Sequence, residues 1–175
     1  SESPIKQRIF EWAVDVARDY ERAENPGTVL SLKHDLADKL VYSSVREALG
    51  DNIDFFVSGG GSLSEDLCRL FHGMGVPILE GYGLTETAPV LSVNPIEDPK
   101  PGTIGPPVTE VDTKLDESIS VMGEDVSGST GELLVRGPNV TDGYWEKPDE
   151  TADAFVEADD GGEPWFRTGD VVEIR

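Results

Sequence analysis

The sequence contains little positive charge: 14 lysine and arginine residues stand against 35 aspartate and glutamate residues, and the formal net charge is -21. A surface of this sign repels nucleic acid and anionic lipid, so neither is an expected partner. The acidic residues are spread along the whole chain instead of forming a tail. Such a distribution is typical of halophilic proteins, and we expect a fold that melts in low salt and recovers in molar KCl.

Cysteine, histidine and long apolar runs are also scarce. The one cysteine, Cys68, cannot form an internal disulfide, which suits a reducing cytoplasm. Neither His34 nor His72 stands in a motif that would activate a thiol, so Cys68 is expected in the core. No apolar run reaches the ~18 residues of a membrane helix, and no signal segment opens the sequence. The sequence therefore predicts a cytoplasmic protein without an integral membrane segment and leaves its oligomeric state open.

The length and the ends of the chain set its expected organisation. With 175 residues, 37% of them hydrophobic, the chain can form one core or two small subdomains. It begins without a methionine, directly in a predicted helix, and stops within a predicted strand, so we expect both ends to be cuts from a longer protein. The predicted division is into residues 1–95 and residues 96–175.

Two helices are predicted before the first strand. The first has Ser3 as N-cap and Pro4 in its first turn, and it stops at Asn25-Pro26-Gly27. One stripe of this helix is apolar and contains Ile5, Ile9, Trp12, Ala13, Val16 and Tyr20. The second helix is predicted from about Asp35 to Leu49, with an apolar side formed by Leu36, Leu40, Val41, Val45 and Leu49.

A short unit that begins with a strand and a loop then appears twice: residues 52–75 continue into a helix, and residues 76–90 continue into a short helical turn or an extended segment. The loops are rich in glycine, at residues 59–61 and 81–83, and the first helix is predicted to start near Ser64. Apolar strands separated by a helix indicate parallel βαβ packing, in which ligands bind where the strands end. We therefore expect both loops to face one site.

The character changes after five prolines between residues 95 and 107. Short strands are predicted at 111–116, 118–122, 131–137 and 171–175, with one helix at 147–155. The expected fold class is thus α/β: a partial parallel βαβ subdomain followed by a small β-rich, distorted barrel-like subdomain, both taken from a larger domain.

The segment "GYGLTET", residues 81–87, concentrates binding chemistry. Gly81 and Gly83 allow a close approach of the backbone, and Tyr82 offers a ring face to a flat heterocycle. The hydroxyls of Thr85 and Thr87 can bind phosphate oxygens, and Glu86 is a suitable ligand for the Mg²⁺ that accompanies nucleotides. A tight turn with a Thr-Glu helix cap explains the same residues equally well.

Two further segments carry weaker signals. Gly59, Gly60 and Gly61 have no following lysine, so they fit a glycine wall beside a planar ring, with an N-cap at Ser62 or Ser64, better than a phosphate-binding P-loop. Asp170, predicted to lie just before a strand, could accept hydrogen bonds from a sugar diol, although a turn aspartate is the simpler interpretation. Tyr144 and Trp145 are predicted as core residues.

In order along the chain, five segments resemble the adenylate-forming, AMP-binding enzymes that activate carboxylic acids. They are "VSGGGSL", "EGYGLTET", "GTIGPPV", "GELLVRGPNVTDGYWEKPDETADAF" and "WFRTGD". The resemblance spans about residues 53–170. The upstream "HDLADKLVYSSVREALGDNIDFFVSGG" resembles the long-chain fatty acyl-CoA synthetase branch in particular.

The resemblance implies an acid–thiol ligase that uses ATP, Mg²⁺, a fatty acid and coenzyme A, forms an acyl-adenylate and then releases AMP. By this likeness Tyr82 lies against adenine, Thr85 holds the α-phosphate and Glu86 coordinates Mg²⁺, so Thr85 and Glu86 are the catalytic candidates. Gly59–Gly61 resemble the wall beside adenine and the acyl channel, Gly81 and Gly83 are among the nucleotide-binding residues, and Asp170 binds the ribose.

Departures from the family pattern leave alternatives open. Gly61-Ser62 replaces a frequent Ala-Pro, and the lysine-bearing phosphate loop and the C-terminal lysine domain lie outside these residues, so the isolated chain is expected to lack ligase activity. A relative acting on a short-chain, aryl or amino acid, and a non-catalytic nucleotide-binding module, are the other interpretations.

Overall fold

The computed structural model of the chain describes residues 3–50, 52–119, 128–159 and 161–174. Contacts divide the chain into two units: Ser1–Gly81 with Asn94–Gly105, and Tyr82–Val93 with Pro106–Arg175. The expected α/β class is confirmed, since helices and parallel strands form the first unit and an antiparallel sheet forms the second. The predicted domain boundary at residue 95 remains a prediction; the two units differ from it because residues 82–93 belong to the second unit and residues 96–105 to the first.

Helices form most of the first unit. Helix α1 (Pro4–Arg22) starts at the predicted proline, and α2 (Thr28–Ala37) continues through a π-helical turn (Asp38–Tyr42) into α3 (Ser43–Leu49). Helix α2 starts about seven residues before the predicted Asp35. The Gly27 carbonyl already accepts the Ser31 N–H at 3.0 Å, so the turn that ends α1 passes directly into the next helix.

The apolar face predicted for the second helix is wrong at three positions. Leu36 and Leu40 are 50% and 52% exposed and Leu49 is exposed, whereas Ala37 and Tyr42 are fully buried. A π-helical turn contains an additional residue, so a 3.6-residue period does not hold through this segment. The Tyr42 hydroxyl donates to the Ala13 carbonyl at 2.6 Å and fixes the segment to α1; burial raises the pKa of Tyr42 to about 12.

The first unit also contains the predicted parallel strands. Strands β1 (Phe56–Ser58) and β2 (Ile78–Tyr82) are joined through α4 (Glu65–Gly73) and pair in parallel, with Phe56 opposite Ile78. Gly73 lets α4 approach α1 closely, because an added Cβ would lie 2.3 Å from the Ala17 carbonyl oxygen. The core between these elements contains Ala13, Val16, Ala17, Ala37, Tyr42, Met74 and Val76.

The second unit is the expected β-rich part. Its antiparallel sheet has the order β4-β5-β7-β6, formed by β4 (Asp112–Asp116), β5 (Ser129–Arg136), β6 (Phe155–Val156) and β7 (Trp165–Ile174). A short strand β3 (Ser92–Val93) precedes it, and α5 (Pro148–Ala154) confirms the predicted helix. The core contains Leu91, Val111, Leu133, Val135 and Phe166. The predicted strand at 118–122 lies mostly outside the described residues.

Candidate functional site

The "GYGLTET" segment starts at the end of β2 and closes into a 3₁₀ turn, Thr85–Thr87, which is the helical turn of the two continuations expected from the sequence. Residue 83 must be glycine because the backbone near Pro89 packs directly against it. Its own backbone does not adopt a left-handed conformation. An added Cβ at Gly83 would lie 1.7 Å from the Pro89 carbonyl oxygen, a separation that no side chain tolerates. The chain therefore folds back on itself immediately after Tyr82, whose carbonyl accepts the Leu91 N–H at 2.8 Å.

The two threonines of this segment have different environments. Thr87 is fully buried; its hydroxyl accepts the Leu84 N–H at 2.9 Å and can donate to the carbonyl of Leu84 or Pro89. This hydroxyl caps the turn, so the expectation that Thr87 offers it to a phosphate is not supported by its position. Thr85, in contrast, is exposed to solvent. The turn interpretation and the binding interpretation thus apply to different threonines.

Glu86 is half-buried and is held at two points. Its backbone carbonyl accepts the Thr141 N–H at 2.8 Å, and its carboxylate oxygen Oε1 accepts the Tyr144 hydroxyl at 2.9 Å. This hydrogen bond raises the pKa of Tyr144 above its ordinary value. The prediction that Tyr144 and Trp145 are core residues is wrong: Tyr144 is only partly buried and pairs with Glu86, and Trp145 is 87% exposed.

Asp170 lies inside strand β7, at a bulge, and not before a strand as predicted. Leu134 pairs with Arg167 and Glu132 with Val171, so three residues of β7, 168–170, stand opposite Leu133 alone. Gly169 adopts φ +76 at the bulge, a conformation that favours glycine. A bulge redirects a side chain out of the regular sheet alternation, and here the redirected group is a carboxylate.

Buried Glu132 organises the bulge from the neighbouring strand β5. Its carboxylate accepts the Gly169 N–H at 3.1 Å and pairs with the Arg167 guanidinium. The Thr168 hydroxyl donates to the Leu133 carbonyl at 2.8 Å and accepts the Asp170 N–H at 3.2 Å. These contacts fix the backbone that leads into Asp170, so the sheet determines where its side chain begins.

A direct hydrogen bond joins the two segments that the sequence separates. The Tyr82 hydroxyl donates to Asp170 Oδ2 at 2.6 Å, although the residues are 88 positions apart. The pKa of Tyr82 is raised, first by burial and then by this bond, which is lost if the hydroxyl ionises. The second unit therefore places Tyr82 in contact with Asp170, two of the residues that the sequence predicts for nucleotide binding, and it also contains Glu86, a third.

The first glycine loop has a different local structure. Gly59, Gly60 and Gly61 follow β1 in the first unit and are exposed, and a Cβ added at Gly60 or Gly61 would meet no atom within 4 Å. Ser64 occupies the N-cap of α4, as predicted, and its carbonyl accepts the Cys68 N–H at 2.9 Å. In the second loop segment, the Thr87 hydroxyl bonds to the Leu84 backbone; no hydrogen bond of this kind is seen at Gly59, Gly60 or Gly61.

Cys68 is confirmed as a core thiol. It is 1% exposed, its sulfur donates to the Ile78 carbonyl at 3.5 Å, and burial raises its pKa to about 11. His72 lies nearby, but its Nε2 is 2.8 Å from the same Ile78 carbonyl and therefore carries the proton. The pair cannot act as an activated nucleophile at neutral pH.

The described parts of the chain contain neither a cluster of metal-binding side chains nor a membrane-spanning helix. No three His, Cys, Asp or Glu side chains gather there into a metal-binding group, and no helix there is both long and apolar enough to cross a membrane. Mg²⁺ commonly binds through one or two carboxylates together with the phosphates of a nucleotide. The half-buried Glu86 carboxylate fits this mode as a single protein ligand.

Comparison with known proteins identifies the family of the chain. The AMP-binding enzyme family matches residues 9–145, most of the chain. The chain belongs to this family. Long-chain-fatty-acid–CoA ligase FadD15 of Mycobacterium bovis is 38% identical to this AMP-binding chain over 172 residues, which are 97% of the chain and 26% of the relative. Long chain acyl-CoA synthetase 3 of Arabidopsis thaliana is 33% identical over 173 residues, 97% of the chain and 24% of the relative.

Solved AMP-binding structures show the same fold. The long-chain-fatty-acid–CoA ligase FadD1 from Archaeoglobus fulgidus matches with a TM-score of 0.58 and 25% identity, over 79% of this chain and 30% of that chain. Apo MatB from Rhodopseudomonas palustris matches with a TM-score of 0.59 and 30% identity, over 79% of this chain and 27% of that one. The chain thus spans about a quarter of the length of the curated relatives it matches.

Three residues of the site were not found by sequence reasoning: Glu132, Tyr144 and Thr168. Each acts through a partner far away in the sequence, such as Glu86 for Tyr144, 58 residues earlier. A local pattern contains no signal for such a pair. The one available hint is that Tyr144 lies in a Gly-Tyr-Trp turn, where an aromatic residue has no helical or strand periodicity to bury it.

Proposed function

We propose that this chain forms part of an ATP-dependent acyl-CoA synthetase that activates a long-chain fatty acid. The carboxylate oxygen of the acid attacks the α-phosphorus of ATP, the bond to the bridging α–β oxygen breaks, and pyrophosphate leaves. The CoA thiol then attacks the acyl carbonyl, loses its proton, and expels AMP. The names of the curated relatives support both the ligase class and the long acyl chain.

The observation that carries this proposal is the hydrogen bond between Tyr82 and Asp170 at 2.6 Å. This bond holds Asp170, the residue proposed to bind the ribose, beside Tyr82, the residue proposed to contact adenine. We propose that the Tyr82 ring packs against the base and that Asp170 accepts hydrogen bonds from the ribose hydroxyls. Because Asp170 offers two oxygens, its bond to Tyr82 leaves further acceptor sites for a diol.

The remaining roles concern the phosphates. Exposed Thr85 can donate its hydroxyl to an α-phosphate oxygen, and Glu86 would hold the Mg²⁺ that neutralises phosphate charge. None of these residues forms a covalent bond to the substrate; they bind, orient and neutralise, which is the protein's main contribution to phosphoryl chemistry. For Gly59, Gly60 and Gly61 we propose a wall that a planar ring can approach closely.

The test is carboxylate-dependent ATP–pyrophosphate exchange by the full-length protein in molar KCl, with acetate, benzoate, an amino acid and palmitate compared. We expect exchange with palmitate. The Glu86→Gln variant should lower its rate about a hundredfold, because it removes the negative charge and keeps the volume of the side chain. Glu157→Gln, at an exposed position after β6, is the matched control and should exchange at the wild-type rate.

The other outcomes of this experiment separate the alternatives. Exchange with a different acid would retain the adenylation chemistry and overturn the long-chain substrate. Exchange that is unchanged in Glu86→Gln would move the metal ligand to another residue. No exchange with any acid would leave a nucleotide-binding module without catalysis.

We also propose that the protein is halophilic and acts in the cytoplasm, as the net charge of -21 and the lone reduced cysteine suggest. Screening by molar salt should relieve the mutual repulsion of the acidic surface. We expect the unfolding temperature followed by circular dichroism to rise steeply between 0.1 M and 3 M KCl. A temperature that does not depend on salt would rule this proposal out.

A further inference from the structure

The loop between β5 and α5 contacts the 3₁₀ turn of the candidate site in several places. The Asn139 side-chain amide donates to the carbonyls of Thr87 at 2.9 Å and Val90 at 2.8 Å, on the C-terminal side of Glu86. The Thr141 N–H donates to the carbonyl of Glu86 itself at 2.8 Å. All of these residues belong to the second unit, so the loop supports the backbone from which the Glu86 side chain extends.

Tyr144 extends this support to the side chain. Its hydroxyl is 2.9 Å from Glu86 Oε1, and its own backbone is fixed because its N–H donates to Thr151 Oγ1 at 2.9 Å. The Thr151 hydroxyl in turn donates to the Lys147 carbonyl at 2.8 Å, in the first turn of α5. The hydroxyl that faces Glu86 is therefore placed by a helix terminus and does not depend on a ligand for its position.

We infer that Tyr144 is a positioning residue: its hydroxyl holds the Glu86 carboxylate in one orientation before a divalent cation and nucleotide phosphates bind. This inference rests on the proposed function. A glutamate side chain has several rotatable bonds, and a ligand that binds a mobile carboxylate must first order it. A neutral phenol can supply that order by donating one hydrogen bond, and it leaves the negative charge of the carboxylate available to the cation.

The test uses Tyr144→Phe in the full-length protein, since this variant removes one oxygen and keeps the ring. We expect the Mg²⁺ concentration for half-maximal pyrophosphate exchange to rise about threefold to tenfold, the effect of losing one ordering hydrogen bond. The KM for palmitate should not change. Tyr20→Phe is the matched control, because the Tyr20 ring stacks on His34 in the first unit and no nucleotide role is proposed for it.

Two further measurements separate positioning from a structural role. Binding of Mn²⁺ in the presence of ATP, followed by electron paramagnetic resonance, should weaken by the same factor in Tyr144→Phe, and the unfolding temperature should stay near that of Tyr20→Phe. In a Glu86→Ala background, Tyr144→Phe should cause no additional loss, because Tyr144 acts through the carboxylate that is then absent.

The outcomes distinguish this inference from the proposed function. Magnesium-dependent exchange by the wild type with an unchanged Mg²⁺ requirement in Tyr144→Phe would overturn the positioning role and leave the ligase standing. A fall in unfolding temperature with no change in Mn²⁺ binding would assign Tyr144 a structural role only. A wild type that shows no magnesium-dependent exchange would overturn the proposed function itself.

Discussion

The two glycine loops look alike in the sequence and differ in the structure. The first follows β1, whereas the second includes Gly81 and Tyr82, the last residues of β2, which pairs in parallel with β1. In the first loop, a methyl group added at Gly61 would meet no atom within 4 Å; in the second, one added at Gly83 would collide with the Pro89 carbonyl oxygen. A glycine in such a loop can therefore be required for backbone packing, as Gly83 is, or can leave open space that a ligand could occupy, as Gly61 does. The glycine content of the loop does not distinguish these two cases.

The largest expected effect is that of Gly83→Ala. The added methyl group would overlap the backbone at Pro89, and a backbone atom cannot move aside as a flexible side chain can. We expect a loss of about 3 kcal/mol in the free energy of unfolding, measured by urea denaturation at fixed high salt. Wild-type stability in this variant would mean that the second loop is as open as the first.

The next effect concerns the buried threonine of the second loop. Thr87→Val keeps the shape of the side chain but leaves the Leu84 N–H without its hydroxyl acceptor, so we expect about 2 kcal/mol of destabilisation. Thr85→Val at the exposed neighbour should change stability by less than about 0.5 kcal/mol and should instead raise the KM for ATP. Equal effects on stability would remove the distinction between a capping and a ligand-facing hydroxyl.

A smaller effect is expected for Tyr82→Phe, which removes the hydrogen bond to Asp170 and keeps the ring. We expect about 1 kcal/mol of destabilisation, because the bond is only partly shielded from solvent, together with a higher KM for ATP. An unchanged KM would show that Asp170 finds its position without Tyr82.

The pH dependence of this variant has a definite sign. The folded-state pKa of Tyr82 is raised above its ordinary value near 10, so the stabilisation is complete below pH 10 and is lost as pH rises through the folded pKa. The advantage of the wild type over Tyr82→Phe should therefore be constant from pH 7 to about pH 10 and should shrink above it. Denaturation followed across that range provides the check, and an advantage that grew with pH would contradict the assignment.

The smallest effect is expected for Gly61→Ala. The site is open and the backbone there does not need glycine, so stability should change by less than about 0.5 kcal/mol. If the loop is a wall beside a planar ligand, the KM for ATP should rise while stability stays constant. A loss of stability close to that of Gly83→Ala would mean that both loops are packed alike.

The sequence predicted elements well where local patterns determine structure. Pro4 marks the start of α1 and Ser64 the N-cap of α4, because terminal residues act on their own first turn. It failed in the segment predicted as the second helix, because the π-helical turn that follows α2 breaks the single periodicity that assigned Leu36 and Leu40 to the core. Periodicity assumes one helical geometry throughout, and a single irregular turn invalidates it.

The candidate site divides in the same way. Tyr82, Glu86 and Asp170 were predicted, and the structure places Tyr82 in contact with Asp170. The bulge at Asp170 could not be predicted, because it depends on the pairing of β7 with β5 and on the buried Glu132 of β5. The role of Tyr144 also depends on tertiary contact, and its position in a turn gave no direction for its side chain.

The bulge in β7 also limits how this strand can change in length. From residue 167 to residue 171 the strand advances four positions while β5 advances two, from 134 to 132, so the bulge contains two additional residues. Side chains in a strand alternate with a period of two, and an even insertion leaves that alternation intact on both sides. Phe166 and Val172 accordingly both pack against the same core. Insertions or deletions of two residues at this point would therefore be tolerated in evolution. A single inserted residue would instead move the core-facing side chains of the last part of the strand to the opposite face of the sheet.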